Sequence, residues 1–246
     1  MQRRTGRRKN ERASERAGVQ GELMFGGRGG FRPGSGRKPK GARAGVSHRQ
    51  RAALASRFPV HVTLKMRAGL KSLRGKAERR VLFEAFAKGC ERDGFRMVQF
   101  SVQKDHVHLV AEAKGRPALA RGVQGLCIRV ARALNRLWGR KGKVFGDRYH
   151  DRILRTPREV KNVLRYVLQN GKRHGMGLLG AVDLMSSAPW FDGWREELVV
   201  TGLEGITRPV AAARTWLVQV GWRRHGLLAF SDVPGPPPRM PPRNGG

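Results

Sequence analysis

Hydrophobic and polar residues alternate with a period of two in three parts of the chain. Val60 to Met66 is the first; Phe95 to Val102 and His106 to Ala111 are the second and third, separated by the polar break Gln103-Lys104-Asp105. Successive side chains of a strand point to opposite faces of its sheet, so this pattern predicts half-buried strands. The short break between the last two predicts an antiparallel hairpin.

Apolar residues recur at helical spacing in two further segments, Lys76 to about Asp93 and Pro117 to about Trp138. A third helix is predicted from its start, where Thr156-Pro157-Arg158-Glu159 combines a capping threonine, a first-turn proline and a glutamate at the third position. We expect it to run to about Asn170, where Gly171 ends it. Phe145 to Leu154 predicts a last strand, rich in arginine.

The predicted order is strand, helix, strand, strand, helix, strand, helix. The first six elements match the ferredoxin-like split β-α-β architecture, so the sequence predicts an α+β fold with an antiparallel sheet and one extra helix. Such a sheet has one face covered by helices and another that can be open to a ligand. We assign a folded domain to residues 57–175, an accessory region with four of the five tryptophans to 176–233, and disordered tails to 1–56 and 234–246.

Charge changes this picture more than composition does. The 51 Lys and Arg residues outnumber the 18 Asp and Glu residues and give a formal net charge of +33. A compact protein with this charge repels itself unless a polyanion neutralises it, and nucleic acid is the partner that fits. Ribosomal and nucleoid proteins are equally basic without being enzymes, so charge alone predicts binding and not catalysis.

The same features favour a location in the bacterial cytoplasm, associated with the nucleoid. Cys90 and Cys127 are isolated, which suits a reducing compartment and disfavours a thiolate zinc site. No apolar segment follows the basic N-terminus as in a signal peptide, and no stretch reaches the roughly 18 apolar residues that span a bilayer. We therefore expect no membrane partner.

The basic N-terminal region contains a segment similar to an AT-hook. Gly36 is followed by Arg37, Lys38, Pro39 and Lys40. In an AT-hook a short extended Arg/Pro segment lies in a narrow minor groove, where the negative potential is strongest. Arg37, Lys38 and Lys40 are therefore candidate DNA contacts, although a nonspecific basic tail explains them equally well.

His106 and His108 are two residues apart on a predicted strand. Both imidazoles therefore leave the same face of the sheet, with Cβ atoms roughly 6 to 7 Å apart, and can converge on one divalent ion. Two histidines exposed to solvent on a sheet face are the plain alternative. Tyr166 and Asn170 lie one helical turn apart. Asn170 either supplies a further oxygen or nitrogen ligand, which suits Mg²⁺ or Mn²⁺, or only helps to end the helix; Gln169 is the fallback ligand.

The chain has one other tyrosine, Tyr149, and it competes with Tyr166 for the role of a nucleophile. It lies in the predicted strand between Arg148 and Arg152. Aromatic and arginine side chains on an exposed strand suit stacking on unpaired bases and binding of phosphates. We therefore assign Arg148, Tyr149 and Arg152 to DNA contact. Taken alone, Tyr166 is an ordinary helix residue, and only the family resemblance described next makes it the candidate for catalysis.

Four motifs in this order resemble the REP-associated tyrosine transposases, relatives of the HUH single-tyrosine transposases of insertion sequences, over about residues 57–175. They are Phe58-Pro59-Val60-His61-Val62-Thr63-Leu64, Asp105-His106-Val107-His108-Leu109-Val110, Arg148-Tyr149-His150-Asp151-Arg152 and Leu164-Arg165-Tyr166-Val167-Leu168-Gln169-Asn170. The resemblance implies that His106 and His108 hold a Mg²⁺ or Mn²⁺ ion, that Asn170 contributes to it, and that Tyr166 is the nucleophile. The chain departs from the family pattern at Asn170-Gly171, where Asn-Pro is common.

What the resemblance implies is a transposase that cleaves and rejoins single-stranded or hairpin DNA, with palindromic repeats as a possible target, through a 5′-phosphotyrosine. A homodimer and a monomer are both compatible with the family. Two further readings remain open: a ferredoxin-like nucleic-acid-binding protein without catalysis, such as a domesticated transposase relative, and a structural RNA-binding protein whose histidines face solvent.

Overall fold

The structure is a computed structural model, and it describes residues 51–173, 182–199, 201, 203 and 205–232. Five strands and three long helices make up the fold, joined by short helices and turns. The strands are β1 (Val60–Lys65), β2 (Glu91–Arg92), β3 (Phe95–Val102), β4 (His106–Ala113) and β5 (His150–Ile153). The helices are α1 (Lys76–Ala87), α2 (Arg116–Leu137), α3 (Pro157–Leu168), α4 (Asn170–Arg173) and α5 (Trp216–Gln219).

The strands form one antiparallel sheet in the order β2-β3-β4-β1-β5. Apart from the two-residue β2, this is the strand order of the ferredoxin-like split β-α-β architecture, with β4 inserted between β1 and β3. The predicted fold class, an α+β protein with an antiparallel sheet and an extra helix, is therefore confirmed. β1 and β4 lie side by side at the centre, with Thr63 opposite His108.

The two faces of the sheet carry different hydrophobic cores, because side chains alternate along each strand. Apolar residues of β1, β3 and β4 pack with α1 and α2 on one face: among them are Val60, Val62, Phe100, Val107 and Leu109, with Leu82, Phe86, Leu119 and Leu126 from the helices. On the other face α3 packs over Val98 and Val110. The sequence suggested that this face can be open to a ligand. In the structure α3 covers part of it.

The C-terminal region completes the second core. Phe191, Trp194 and Trp222 are buried in the same cluster as the apolar side of α3. The Phe191 ring lies 5.3 Å from Trp194 and 5.5 Å from Trp222, measured between centroids. α3 is thus held between the sheet and this aromatic cluster, which fixes where its polar side chains lie.

Three predicted boundaries were wrong. α1 ends at Ala87, because Glu91–Arg92 pairs with β3 as a short strand. β5 comprises only His150–Ile153; Phe145 makes an isolated bridge with Met66, and Asp147 accepts a hydrogen bond from the amide of Arg148 before the strand begins. α3 stops at Leu168 and a separate α4 follows, so Gly171 lies inside a helix and does not end one.

Candidate active site

β4 carries the two histidines of the candidate site on the face that α3 covers. His106 and His108 are two residues apart in the strand, and their Nε2 atoms lie 3.1 Å apart. His108 is buried and His106 is partly exposed. The alternating pattern of β4 places Val107 and Leu109 in the opposite core, which fixes the orientation of both rings.

Each imidazole is held at its other nitrogen. His106 Nδ1 donates to Asp105 Oδ1 at 2.7 Å, and this hydrogen bond lowers the pKa of the Asp105 carboxyl. His108 Nδ1 lies 3.1 Å from Thr63 Oγ1 and 3.2 Å from His61 Nε2, both on β1. Both Nε2 atoms thus face the same small space, and both Nδ1 atoms point away from it.

His61 is a site residue that the sequence analysis did not assign. It lies two residues before Thr63 in β1, on the same face of the sheet. Its ring centroid is 5.2 Å from that of His108 and 6.0 Å from that of Tyr166. Burial, with a smaller contribution from the Arg152 guanidinium, lowers the pKa of His61 to about 4, so the ring is neutral at physiological pH. The alternation of β1 could have indicated it, since positions 61 and 63 share a face of the sheet.

Tyr166 reaches the histidines from α3. Its Oη lies 3.3 Å from His108 Nε2, and the two rings meet edge to face at 5.0 Å. The helix is fixed at its start by a capping box: Thr156 Oγ1 accepts from the Glu159 amide, and the Glu159 carboxylate accepts from the Thr156 amide. Val163 and Val167 anchor the same helix in the second core. The hydroxyl is therefore held by a rigid element beside the imidazole pair.

Tyr149, the competing tyrosine, lies with the opposite core. It precedes β5 and packs against the core formed with α1 and α2, with the Arg51 guanidinium 3.8 Å from its ring centroid. Burial raises the pKa of its hydroxyl. The next residue on this face, Asp151, pairs with Arg51 and with Arg116, so residues upstream of the predicted domain start pack on β5. The structure brings Tyr166 to the histidines and leaves Tyr149 on the other side of the sheet.

Asn170 follows the break between α3 and α4. The predicted stacking with Tyr166 in one continuous helix was wrong, because Gln169 lies between the two helices with φ −117°. The Asn170 side chain is fully buried, and among the residues that the structure describes neither Oδ1 nor Nδ2 has a hydrogen-bond partner. Gln169, the fallback ligand, instead donates through Nε2 to the Ala229 carbonyl at 2.7 Å.

The two histidines are spaced as ligands of a small divalent cation would be. Two nitrogens bound at about 2.1 Å in neighbouring octahedral positions lie about 3 Å apart, which matches the separation of the His106 and His108 Nε2 atoms. A buried amide without a partner is costly, and a ligand to its oxygen would remove part of that cost. Among the described residues no group of three or more His, Cys, Asp and Glu side chains could hold a metal ion. A third protein ligand would thus have to come from another residue type, such as the amide of Asn170.

The position of Asp183 explains why the chain has Gly171 after Asn170 and departs from the Asn-Pro pattern. A Cβ at this position would lie 2.4 Å from Oδ2 of Asp183. Asp183 is buried and forms a two-pronged ion pair with Arg74, at 2.8 and 3.0 Å. Its carboxylate occupies the space that a side chain at position 171 would need, so only glycine fits without displacement.

The candidate DNA contacts are distributed over more than one place. Arg148 is exposed before β5, and Arg152 on β5 is exposed and pairs with Glu159 of α3 at 2.7 Å. Arg152 shares the sheet face of His61, whereas Tyr149 packs against the opposite core. Arg37, Lys38 and Lys40 lie outside the described residues.

Comparison with known proteins gives a family and a structural likeness. The family model of IS200-like transposases matches residues 55–170. A solved structure described as a REP-associated tyrosine transposase bound to a REP hairpin is similar over 69% of this chain and 93% of that chain, with 14% identity and a TM-score of 0.49. No curated protein matches the sequence significantly. In the described part of the chain, no helix combines the length and apolar character that crossing a membrane requires.

Proposed function

We propose that the protein is a single-tyrosine transposase that cleaves and rejoins single-stranded or hairpin DNA, because the family model of IS200-like transposases matches residues 55–170. The observation that carries this proposal is the Tyr166 hydroxyl, which lies 3.3 Å from His108 Nε2, itself 3.1 Å from His106 Nε2. A nucleophilic oxygen beside a pair of convergent nitrogens is the arrangement that phosphodiester cleavage through an enzyme-bound intermediate needs.

The covalent step exchanges one phosphodiester for another. Tyr166 Oη forms a bond to phosphorus as its proton is lost, and the bond from phosphorus to the 3′ oxygen breaks. The 3′ oxygen takes up a proton and leaves as a hydroxyl, while the other DNA fragment becomes attached to Tyr166 through its 5′-phosphate. Attack on this linkage by a 3′-hydroxyl of the same or another strand reverses the exchange, so rejoining needs no nucleotide cofactor.

His106 and His108 would hold a Mg²⁺ or Mn²⁺ ion, with Asn170 as a further ligand. When bound there, such an ion would supply positive charge that offsets the charge of the phosphate. The chain supplies the orientation: Asp105 holds His106 at Nδ1, and β1 holds His108 at Nδ1. The capped α3 sets the tyrosine oxygen at a fixed distance from this pair.

The net charge of +33 supports a polyanionic substrate bound with strong salt dependence. Arg148 is exposed before β5, and Arg152, which pairs with Glu159, is exposed opposite His61 of the candidate site. We propose that they contact the DNA backbone, and that the arm bearing Arg37, Lys38 and Lys40 adds minor-groove contacts. We also propose that the protein acts in the bacterial cytoplasm, where a chromosomal substrate would lie.

Cleavage of end-labelled hairpin oligonucleotides, followed on denaturing gels, tests the nucleophile. The wild type should form a covalent protein–DNA adduct with Mg²⁺ or Mn²⁺, and Tyr166→Phe should form none. Tyr149→Phe is the matched control, because it also removes one phenolic oxygen, and it should retain the adduct. Loss of the adduct in Tyr149→Phe with retention in Tyr166→Phe would reverse the assignment.

The same experiment separates catalysis from binding alone. A protein without catalysis would bind the oligonucleotides with an affinity that falls steeply with salt, but would form no adduct with either metal. A wild-type preparation with that behaviour would contradict the proposed function and favour a nucleic-acid-binding relative of the transposases.

A further inference from the structure

The Nδ1 atom of His108 is contacted from behind the candidate site. Thr63 Oγ1 and His61 Nε2, both on β1, lie 3.1 and 3.2 Å from it. The opposite nitrogen, Nε2, faces His106 and Tyr166. The register of β1 with β4 produces this contact, since Thr63 stands directly opposite His108.

The two Nε2 atoms restrict where the ring protons lie. At 3.1 Å, two nitrogen lone pairs repel one another unless a proton or a cation lies between them. Asp105 accepts a hydrogen bond from His106 Nδ1, so the proton of neutral His106 is on Nδ1 and its Nε2 is an acceptor. Without a cation, neutral His108 must therefore carry its proton on Nε2 and donate it to His106, and its Nδ1 becomes an acceptor.

The arrangement reverses when His108 uses Nε2 as a ligand. Its proton then lies on Nδ1, which becomes a donor and needs an acceptor on β1. A hydroxyl can donate in the first state and accept in the second by rotating about a single bond. The His61 ring serves both states only by moving its own proton between nitrogens. Thr63 is therefore the neighbour that matches both tautomers of His108 at little cost.

We propose that Thr63 is a positioning residue that keeps Nδ1 of His108 hydrogen-bonded in both tautomers, and so lets the ring offer its Nε2 lone pair to a divalent cation. The proposal rests on the proposed function, and it adds a residue outside the His106, His108, Asn170 and Tyr166 set. Removal of a hydrogen-bond partner behind a metal-binding histidine lowers metal affinity by about 10- to 100-fold.

Thr63→Val tests the hydroxyl, because valine keeps the branched shape and suits a strand. Thr63→Ser should restore the function of the hydroxyl, and Thr207→Val is a control that removes an exposed hydroxyl elsewhere. Titration of the metal-free full-length protein with Mn²⁺, followed by calorimetry, should show an affinity about 10-fold lower in Thr63→Val. Thr63→Ser and Thr207→Val should bind within about twofold of the wild type, well short of the loss expected for a missing partner.

Long-range ¹H–¹⁵N spectra of histidine-labelled protein provide a readout that does not depend on cleavage. His108 should carry its proton on Nε2 in the metal-free wild type and on Nδ1 with saturating Mg²⁺. Equal Mn²⁺ affinity of Thr63→Val and wild type, or a proton already on Nδ1 without metal, would overturn the proposal.

A wild type that binds neither Mn²⁺ nor Mg²⁺ would count against the proposed function. The metal-free spectra would then test separately whether Thr63 forms the hydrogen bond to His108. A changed His108 Nδ1 signal in Thr63→Val, with His106 unchanged, supports the contact. An unchanged His108 signal overturns it.

Discussion

Replacing Gly171 by alanine should destabilise the protein, although this exchange inside a helix ordinarily stabilises. The new Cβ would lie 2.4 Å from Oδ2 and 2.8 Å from Cγ of Asp183. Asp183 cannot retreat freely, because its side chain is 1% exposed and its carboxylate also binds Arg74 and the amide of Met185. Either the ion pair shifts or α4 moves, and α4 carries Asn170.

The size of the effect follows from these contacts. Forcing a methyl group into a filled site costs about 1–3 kcal/mol, and the helix propensity of alanine offsets about 1 kcal/mol of that. Complete loss of a buried ion-pair partner would cost about 3–5 kcal/mol, but the Arg74 side chain is 15% exposed and can recover some solvent. We expect a net loss of about 2 kcal/mol, or about 30-fold in the ratio of folded to unfolded protein.

Urea unfolding measures this loss, and Gly125→Ala is the matched control. Gly125 lies in α2, and a Cβ there meets no heavy atom within 4 Å, so alanine should stabilise by about 0.5–1 kcal/mol. In an Asp183→Ala background the cost of Gly171→Ala should disappear. If both glycine variants shift the midpoint upward, or if the cost persists without Asp183, the steric reasoning is refuted.

Three further changes test other parts of the structure. Trp222→Ala empties the centre of the second core and should cost about 3–5 kcal/mol in urea unfolding, with loss of the covalent adduct at temperatures where the core melts; full stability would contradict the packing of Trp222. Thr156→Ala removes the acceptor for the Glu159 amide and should cost about 1 kcal/mol by the same measurement, whereas no change would show that the cap is not formed. Burial raises the pKa of Cys127 to about 12, so at pH 8 its alkylation by iodoacetamide, followed by mass spectrometry, should be far slower than that of a free thiol; rapid labelling would contradict this.

Strand alternation predicted the central part of the site, because the face that a side chain occupies depends only on whether its position in the strand is odd or even. His106 and His108 had to share a face once β4 was recognised, and the structure places their Nε2 atoms together. The same alternation separates Tyr149, just before β5, from Arg152 within β5, because an odd and an even position face opposite sides of the sheet. This signal was present in the sequence, but the sequence analysis did not use it to assign faces. The ferredoxin-like order followed equally well from the alternation and helical periods of β1 to α2.

Features that depend on contacts distant in sequence were not predictable. The place of His61 behind His108 depends on the pairing register of β1 with β4, which no local pattern reveals. Gln169, which lies at the break after α3, donates to the carbonyl of Ala229, 60 residues away, and the demand for glycine at 171 depends on Asp183. The partners of Gln169 and Gly171 are both supplied late in the chain.

The late arrival of these partners has a consequence during synthesis. By the time a growing chain has emerged to residue 175, it has released β1 to α4, and with them His106, His108 and Tyr166, but not Trp222 or Leu228, which cover the apolar side of α3. The tyrosine helix then has only the sheet to pack against. The Tyr166 hydroxyl is therefore held beside the histidines only once the protein is nearly complete, so an unfinished chain on the ribosome has a poorly assembled candidate site.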